Sequence, residues 1–348
     1  MFIDGRICPR RKRMVGFGRP ARGTAVGGGD GGVMAIGPTT DGMQQTRRQV
    51  LDALADGPVA GPELATRLDI SRAAVWKHVE ALREDGFDIE SRNNGYVLVD
   101  VPEFGGAAVE HQLDASVDIE YHDRIASTND RARELAADGA EGVCVLADEQ
   151  TGARGRLDRP WESPAGGVWL SLVYRPDLPP SQVPVYTLAA AVAATAALRE
   201  VGVSAEIKWP NDILVDGEKL VGILTEMEGE ADRVSWVVVG IGINANIDAA
   251  SVPDHATTVK EQVGDIDRGA LTASIIDRLE ALRNAPEDVP EAWRELSTTI
   301  GQIVRVETPG ETVTGEAVGI EFPGTLVVET DDGKRRIAAG DCEHLRPA

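Results

Sequence analysis

Lys208-Trp209-Pro210-Asn211-Asp212 and Lys219-Leu220-Val221-Gly222 set two ammonium groups around one turn that also carries a carboxylate. Fixed cations of this kind suit the handling of phosphate, because phosphoryl chemistry builds negative charge on oxygen. Two solvated lysines beside an ordinary hairpin would give the same local pattern. Scarcity argues against that reading: Lys12, Lys77, Lys208, Lys219, Lys260 and Lys334 are the only lysines among 35 basic residues. A chain that uses Arg elsewhere and keeps two lysines at one turn needs the compact point charge there.

Four other segments carry polar groups in places a ligand reaches. Ser127-Thr128-Asn129 lies where an extended stretch from Asp118 gives way to a helix through Ala137, so its hydroxyls and free N–H groups can receive a polar ligand, although helix capping would also explain Ser127 or Thr128. Ala147 to Arg156 ends a strand from Val143 at Gln150 and opens into a loop with Arg154, Gly155, Arg156 and Arg159. Arg pairs with phosphate or carboxylate in a bidentate way, though a flexible Arg loop is also what a solvated turn looks like. Trp161 and Trp169 supply apolar walls, although as isolated residues tryptophans are more often core than ligand contacts. Val237-Val238-Val239-Gly240-Ile241-Gly242-Ile243-Asn244 reads as a buried strand whose glycines leave room beside it. It opens no helix with a third glycine, which argues against a dinucleotide fingerprint.

Strands and turns must hold these groups in place. Ala205 to Ile207 predicts a strand that Pro210 forces out of its ladder, Ile213 to Val215 a second, and Asp216-Gly217 a hairpin turn into a third that Lys219 opens. Lys208 and Lys219 then face one cleft. Ahead of this region, Val50, Leu51, Leu54 and Ala55 share one helical face, Glu63 to Leu68 predicts a short second helix, and Ser71 caps a third with Ala74, Val75, Val79 and Leu82 on its inner side. Two strands, Phe87 to Glu90 and Tyr96 to Val99, follow as a wing. This winged helix-turn-helix would present Ser71, Arg72, Lys77 and His78 to a groove of DNA and Arg92 to its backbone, while Glu80, Glu84 and Asp85 suit a head that only packs or assembles. Toward the end, helices over Leu271 to Arg283 and Ala292 to Leu296 precede short strands at 303–306, 312–320, 325–329 and 335–338, the pattern of a small SH3-like barrel.

Composition narrows the class. The 348 residues allow two or three domains, and the net charge is -22. Residues 1–42 hold seven basic and three acidic residues, so the remainder carries -26. An acidic surface rich in Arg suggests a halophilic protein, and it leaves DNA to a local basic face or to screened charge. Cys8, Cys144 and Cys342 form no metal or disulfide spacing, which fits a cytoplasmic protein. The apolar run from Val185 to Leu198 falls short of the roughly 20 residues that span a bilayer, and reads as a buried helix with no membrane role. Residues 1–42, basic and then glycine-rich, read as a disordered extension or an over-extended start before Met43.

Taken in order, Ser127-Thr128-Asn129, Asp148-Glu149-Gln150-Thr151 leading into the Gly-Arg loop, Lys208 to Asp212, Lys219 to Leu224 and Gly240 to Asn244 resemble the motifs of biotin protein ligases. The winged helix resembles that of the bifunctional ligase and biotin-operon repressor subclass. The likeness spans about residues 44–348. It implies an α+β fold class: a winged helix-turn-helix over 43–100, a mixed-sheet α/β catalytic domain over 101–298 like class II synthetase and lipoate-biotin ligase folds, and an SH3-like barrel over 299–348. It implies that biotin and ATP, with Mg2+, give biotinyl-5'-AMP, and that a lysine of a biotin carboxyl carrier domain then displaces AMP. Operator DNA is the second implied partner, with a homodimer when liganded.

Carried over residue by residue, Ser127, Thr128, Asn129 and Gln150 resemble the holders of the biotin ring. Arg154, Gly155 and Arg156 resemble the loop over the adenylate, binding both biotin and ATP. Lys219 resembles the lysine that bridges carboxylate and phosphate. Lys208 and Asn211 fall near the nucleotide phosphates, Asp212 where it orients the acceptor amine, and Asn244 near magnesium or phosphate. Gly222, Gly240 and Gly242 would keep the biotin slot open. The family loop usually reads Ala-Gly-Arg-Gly-Arg-x-Gly, whereas Gly152-Ala153 inverts the first pair and Asp158 replaces the last glycine, so altered loop geometry is expected. A lipoate ligase and a biotin-sensing regulator without transfer activity are the competing readings.

Overall fold

The computed structural model describes residues 40–345. The extension expected over 1–42, with Cys8, lies outside them except for its last three residues, which already belong to the first helix. Helix α1 (Thr40–Ala55), α2 (Gly61–Arg67) and α3 (Arg72–Glu84) are followed by the hairpin β1 (Asp88–Arg92) and β2 (Gly95–Asp100). Pro62 sits in the first turn of α2, where its missing N–H costs nothing, and the Ser71 hydroxyl accepts the Ala74 N–H to start α3. Val50, Leu54, Leu64, Val79, Leu82 and Phe87 make a small core of their own.

A short helix that the sequence pattern did not suggest, α4 (Gly106–Gln112), joins this head to the next layer. The Arg48 guanidinium donates across to the Leu113 carbonyl, and Asp52 lies 3.6 Å from His111. Next come β3 (Asp118–Ile125), α5 (Thr128–Ala137), β4 (Val143–Gln150), β5 (Val168–Tyr174) and α6 (Pro184–Glu200). The lysine hairpin is β6 (Glu206–Lys208), β7 (Asp212–Val215) and β8 (Glu218–Gly229), and β9 (Val234–Ile243), α7 (Val259–Val263), α8 (Arg268–Arg283) and α9 (Val289–Leu296) complete the layer.

The seven strands run β3-β4-β5-β9-β8-β7-β6, with β3 and β4 parallel and every other pair antiparallel. Both faces are covered, which is why β5 and β9 read as nearly unbroken apolar runs. Leu170, Leu172, Val237 and Val239 point to α6, while Val145, Val173 and Val238 meet Ala132 and Ala136 of α5. Together with the turn before it, α6 is long and apolar enough to cross a membrane, but most of it is buried between the sheet, α8 and α9. Its apolar surface therefore has a partner on nearly every side.

The chain ends in a five-stranded antiparallel sheet, β10 (Ile303–Glu307), β11 (Thr312–Glu321), β12 (Thr325–Thr330), β13 (Gly333–Ile337) and β14 (Asp341–His344), in the order β13-β12-β11-β10-β14. It is the expected SH3-like unit with one strand more than the pattern suggested. The added strand, β14, is the one that reaches the site.

Candidate functional site

A cavity of about 490 Å³ opens at the ends of β4, β8 and β9, between the Arg154–Arg159 loop and the turn after β6. Every residue expected in catalysis or in ligand binding lines it: Ser127, Thr128, Asn129, Gln150, Arg154, Gly155, Arg156, Lys208, Asn211, Asp212, Lys219, Gly222, Gly240, Gly242 and Asn244. The hairpin forms as its residues dictate. Trp209-Pro210 is a cis peptide at the turn between β6 and β7, and Asp216 and Gly217 take the positive φ values of 52° and 89° that a tight two-residue turn requires.

Lys219 Nζ lies 2.7 Å from Asp212 Oδ1 and 4.9 Å from the centroid of the Trp161 ring. Of the two readings the sequence left open, Trp161 thus takes the cavity wall and Trp169 the core, where it is fully buried and donates Nε1–H to the Asp148 and Pro164 carbonyls. Gly222 and Gly242 are glycine because of this wall. A Cβ on Gly222 would stand 3.1 Å from the Trp161 ring, and one on Gly242 3.0 Å from its Nε1. Gly240 serves differently: a Cβ there would fall 2.0 Å from Asn129 Oδ1, so this glycine, besides lining the cavity, makes room for an asparagine.

Asn129 is the centre of a buried polar cluster at the cavity floor. Its Nδ2 donates to Glu226 Oε2 at 2.8 Å, and its Oδ1 lies 2.6 Å from the hydroxyl of Ser171. Ser171, the one polar residue in β5, pairs in register with Gly240, and its oxygen is also 2.8 Å from Thr128 Oγ1. Gln150 Oε1 accepts the Thr128 N–H at 2.8 Å and lies 3.1 Å from Thr128 Oγ1. Ser127 caps α5 by accepting the Asp130 N–H, which leaves its own proton uncommitted among the described residues. Sequence reasoning missed Ser171 and Glu226, although a lone serine within a run of buried apolar residues was a visible cue.

The Arg loop is tied to three elements. Arg154 reaches Asp130 Oδ1 at 2.7 Å and Asp158 at 3.6 Å. Arg156 donates to Asn211 Oδ1 and to the Gly340 carbonyl, both at 2.9 Å, and Arg159 donates to Asp341 at 2.7 Å. The barrel strand β14 therefore closes one side of the cavity. Neither residue of the inverted Gly152-Ala153 pair has positive φ. The left-handed positions are Leu157 and Asp158, at φ 57° and 54°. Asp158 thus adopts the conformation a glycine would favour, and Asp tolerates it better than most side chains.

Asn244 lines the cavity, but its amide nitrogen donates to the Thr257 carbonyl at 3.1 Å and ties β9 to the His255–Thr258 loop. Its Oδ1 and its second amide proton have no partner among the described residues and remain on the cavity side of that tie. In the head, His78 is half-buried, and burial followed by the Arg47 charge lowers its pKa, which keeps its ring neutral. Arg92 is engaged with Glu90 at 2.8 Å, and Ser71 spends its oxygen on the cap. Arg72 and Lys77 are exposed, with no ion pair among the described residues.

Beneath Lys208, burial pushes the Cys342 thiol up to about 11 against the opposing pull of that charge. Burial and then the same charge hold His344 below its ordinary pKa. Its Nε2 is 3.1 Å from Thr299 Oγ1, which accepts the Trp209 N–H at 2.9 Å, so neutral His344 takes the threonine proton and helps hold the lysine hairpin. A depressed folded-state value means that the unfolded chain binds the proton first. This contribution to stability is complete above the unfolded value of about 6.5 and is lost as pH falls through the folded value. Thermal melts at about pH 7.5 and about pH 5.5 are expected to show wild type losing more stability than His344→Gln; equal losses would exclude His344 from the pH response.

A model of the biotin/lipoate A/B protein ligase family matches residues 121–244, a model of the biotin protein ligase C-terminal domain matches 299–345, and a helix-turn-helix domain model matches 46–97. The bifunctional ligase/repressor BirA of Bacillus subtilis is 39% identical over 306 residues, covering 82% of this chain and 93% of that protein. The biotin-[acetyl-CoA-carboxylase] ligase of Mycobacterium tuberculosis is 34% identical over 63% of this chain and 86% of its own length. Among solved structures, the biotin protein ligase from Aquifex aeolicus in complex with biotin and ATP superposes with a TM-score of 0.56 at 26% identity, covering 65% of this chain and 99% of that one.

Proposed function

This chain belongs to the biotin protein ligases, in the subclass that joins the ligase to a helix-turn-helix, and from that premise we propose that it makes biotinyl-5'-AMP from biotin and ATP, transfers the biotin to a carrier-domain lysine, and represses transcription through its head. The observation that carries the biotin reading is the proton inventory of the cavity floor. Ser171 and Thr128 each have one proton, and both are taken up inside the cluster, because Asn129 Oδ1 can only accept the first and the Ser171 oxygen then takes the second. Thr128, Asn129 and Gln150 therefore offer lone pairs, and Ser127 alone offers a hydroxyl proton. A cyclic urea, with N–H groups beside a carbonyl, is the complement of that set. A dithiolane ring has no N–H to give it, which disfavours lipoate.

At the other end of the cavity, Lys219 is positioned to hold the carboxylate and the phosphate it attacks, while Arg156, Lys208 and Asn211 take the nucleotide. Asp212, held by Lys219, is placed to receive or orient the acceptor amine once the adenylate has formed. Among the described residues no three His, Cys, Asp or Glu side chains converge as a metal cage. Asp212 and Asp341 are already paired with cations. Magnesium would thus arrive on the triphosphate, where it would neutralise phosphate charge.

In the head, Arg72 and Lys77 on α3 support DNA contact, and three nearby carboxylates are screened internally by Arg47, Arg83 and Arg92. We place the protein in the cytoplasm, with domains over 43–100, 101–298 and 299–348. Incubation with ATP, magnesium, biotin and a carrier domain in high salt is expected to add one biotin to the carrier's mass, with no gain from lipoate. Biotin binding without a mass gain would instead leave a sensor without transfer activity.

A further inference from the structure

We infer that Glu226 sets the hydrogen-bond polarity of the cavity floor, and with it the preference for a ligand that donates N–H; the inference rests on the biotin reading above. Glu226 does not line the cavity. Its Oε1 accepts from Arg133 at 3.0 Å and its Oε2 from Asn129 Nδ2 at 2.8 Å. On the same side of the Asn129 amide, the Leu224 carbonyl lies 3.4 Å from Nδ2. Two acceptors that cannot donate therefore turn the amide nitrogen away from the cavity floor and its oxygen toward Ser171.

The consequence passes along a chain of single protons. Asn129 Oδ1 takes the Ser171 proton, so the 2.8 Å contact between the Ser171 and Thr128 oxygens is bridged by the Thr128 proton. Thr128, on the cavity wall, then presents lone pairs only. Were the amide reversed, Asn129 would donate to Ser171, Ser171 to Thr128, and the Thr128 proton would be released to Gln150 Oε1, 3.1 Å away, or to the ligand. Either way the floor would lose a lone pair, on Gln150 or on Thr128, that the N–H groups of a urea need. Glu226 is accordingly a positioning residue, three hydrogen bonds removed from the ligand.

Glu226→Gln tests this because its single carbonyl oxygen cannot serve both Arg133 and Asn129. With the oxygen drawn to Arg133, the amide nitrogen of Gln faces Asn129 and reverses the chain. In biotin-dependent pyrophosphate exchange, KM for biotin is expected to rise by about tenfold or more while KM for ATP stays within about twofold, as loss of a buried hydrogen-bond match requires. The preference for biotin over its cyclic carbonate analogue, with ring oxygens in place of both N–H groups, is expected to shrink by about tenfold. Adding Arg133→Leu frees the Gln oxygen for Asn129 and should restore most of both losses. Unchanged biotin KM and preference, an equal rise in KM for ATP, or no recovery in the double variant would each overturn the inference. Wild-type protein that exchanges no pyrophosphate with biotin would instead overturn the ligase reading on which it stands.

Discussion

Lys219→Ala is expected to stop adenylate formation, lowering biotin-dependent pyrophosphate release by about 10²–10³-fold or more, the scale of losing one preorganised charge stabiliser. The lysine stands at the start of β8 with its ammonium 2.7 Å from Asp212 and over the face of Trp161, a quarter exposed. That geometry keeps the charge fixed while leaving it reachable from the cavity. The fold should survive. A partly exposed ion pair and one cation–π contact together contribute on the order of 1 kcal/mol, a shift of about 2–4 °C in Tm for a domain of this size. Alanine also leaves Asp212 without its cation, so the second step should suffer as well when biotinyl-5'-AMP is supplied directly. Near-normal pyrophosphate release by the variant would remove Lys219 from the first step.

What the residues revealed and what they hid divide along the range of the contacts. The lysine hairpin was legible because Pro210 and Asp216-Gly217 act on their immediate neighbours, and the capping hydroxyls of Ser71 and Ser127 act within one turn. The helical head was legible for the same reason. Gly240 was visible as a glycine, but its purpose depends on a register that sets Ser171 opposite it and on Asn129 descending from α5, which no local pattern encodes. The contribution of β14 was equally hidden: Arg156 meets Gly340 across 184 positions of sequence, and a four-residue strand with Cys342 as its only buried residue has almost no periodicity to read. Helix α4 escaped because Gly105-Gly106 at its start looks like a break. Wall and core could not be told apart for Trp161 because the residues that make a tryptophan a wall, Gly222 and Gly242, lie on two other strands.

Arg156→Gly separates the two half-reactions in the opposite sense from Lys219→Ala. Arg156 fastens the loop to Asn211 on the hairpin and to Gly340 on the barrel, with Asp341 3.4 Å away. Glycine removes all of these anchors and adds backbone freedom to a loop already turning through two left-handed residues. Arg154 and Arg159 would still hold the loop's flanks through Asp130 and Asp341, so the cavity should form and the first step continue. The adenylate, no longer covered, should escape and acylate exposed lysines of bystander proteins, raising their labelling by about tenfold or more as carrier labelling per pyrophosphate falls. A loop that only bound nucleotide would give a different result, a higher KM for ATP with labelling still confined to the carrier. Bystander labelling at the wild-type level would therefore show that the contacts to Asn211 and Gly340 shape the nucleotide end of the site without retaining the intermediate.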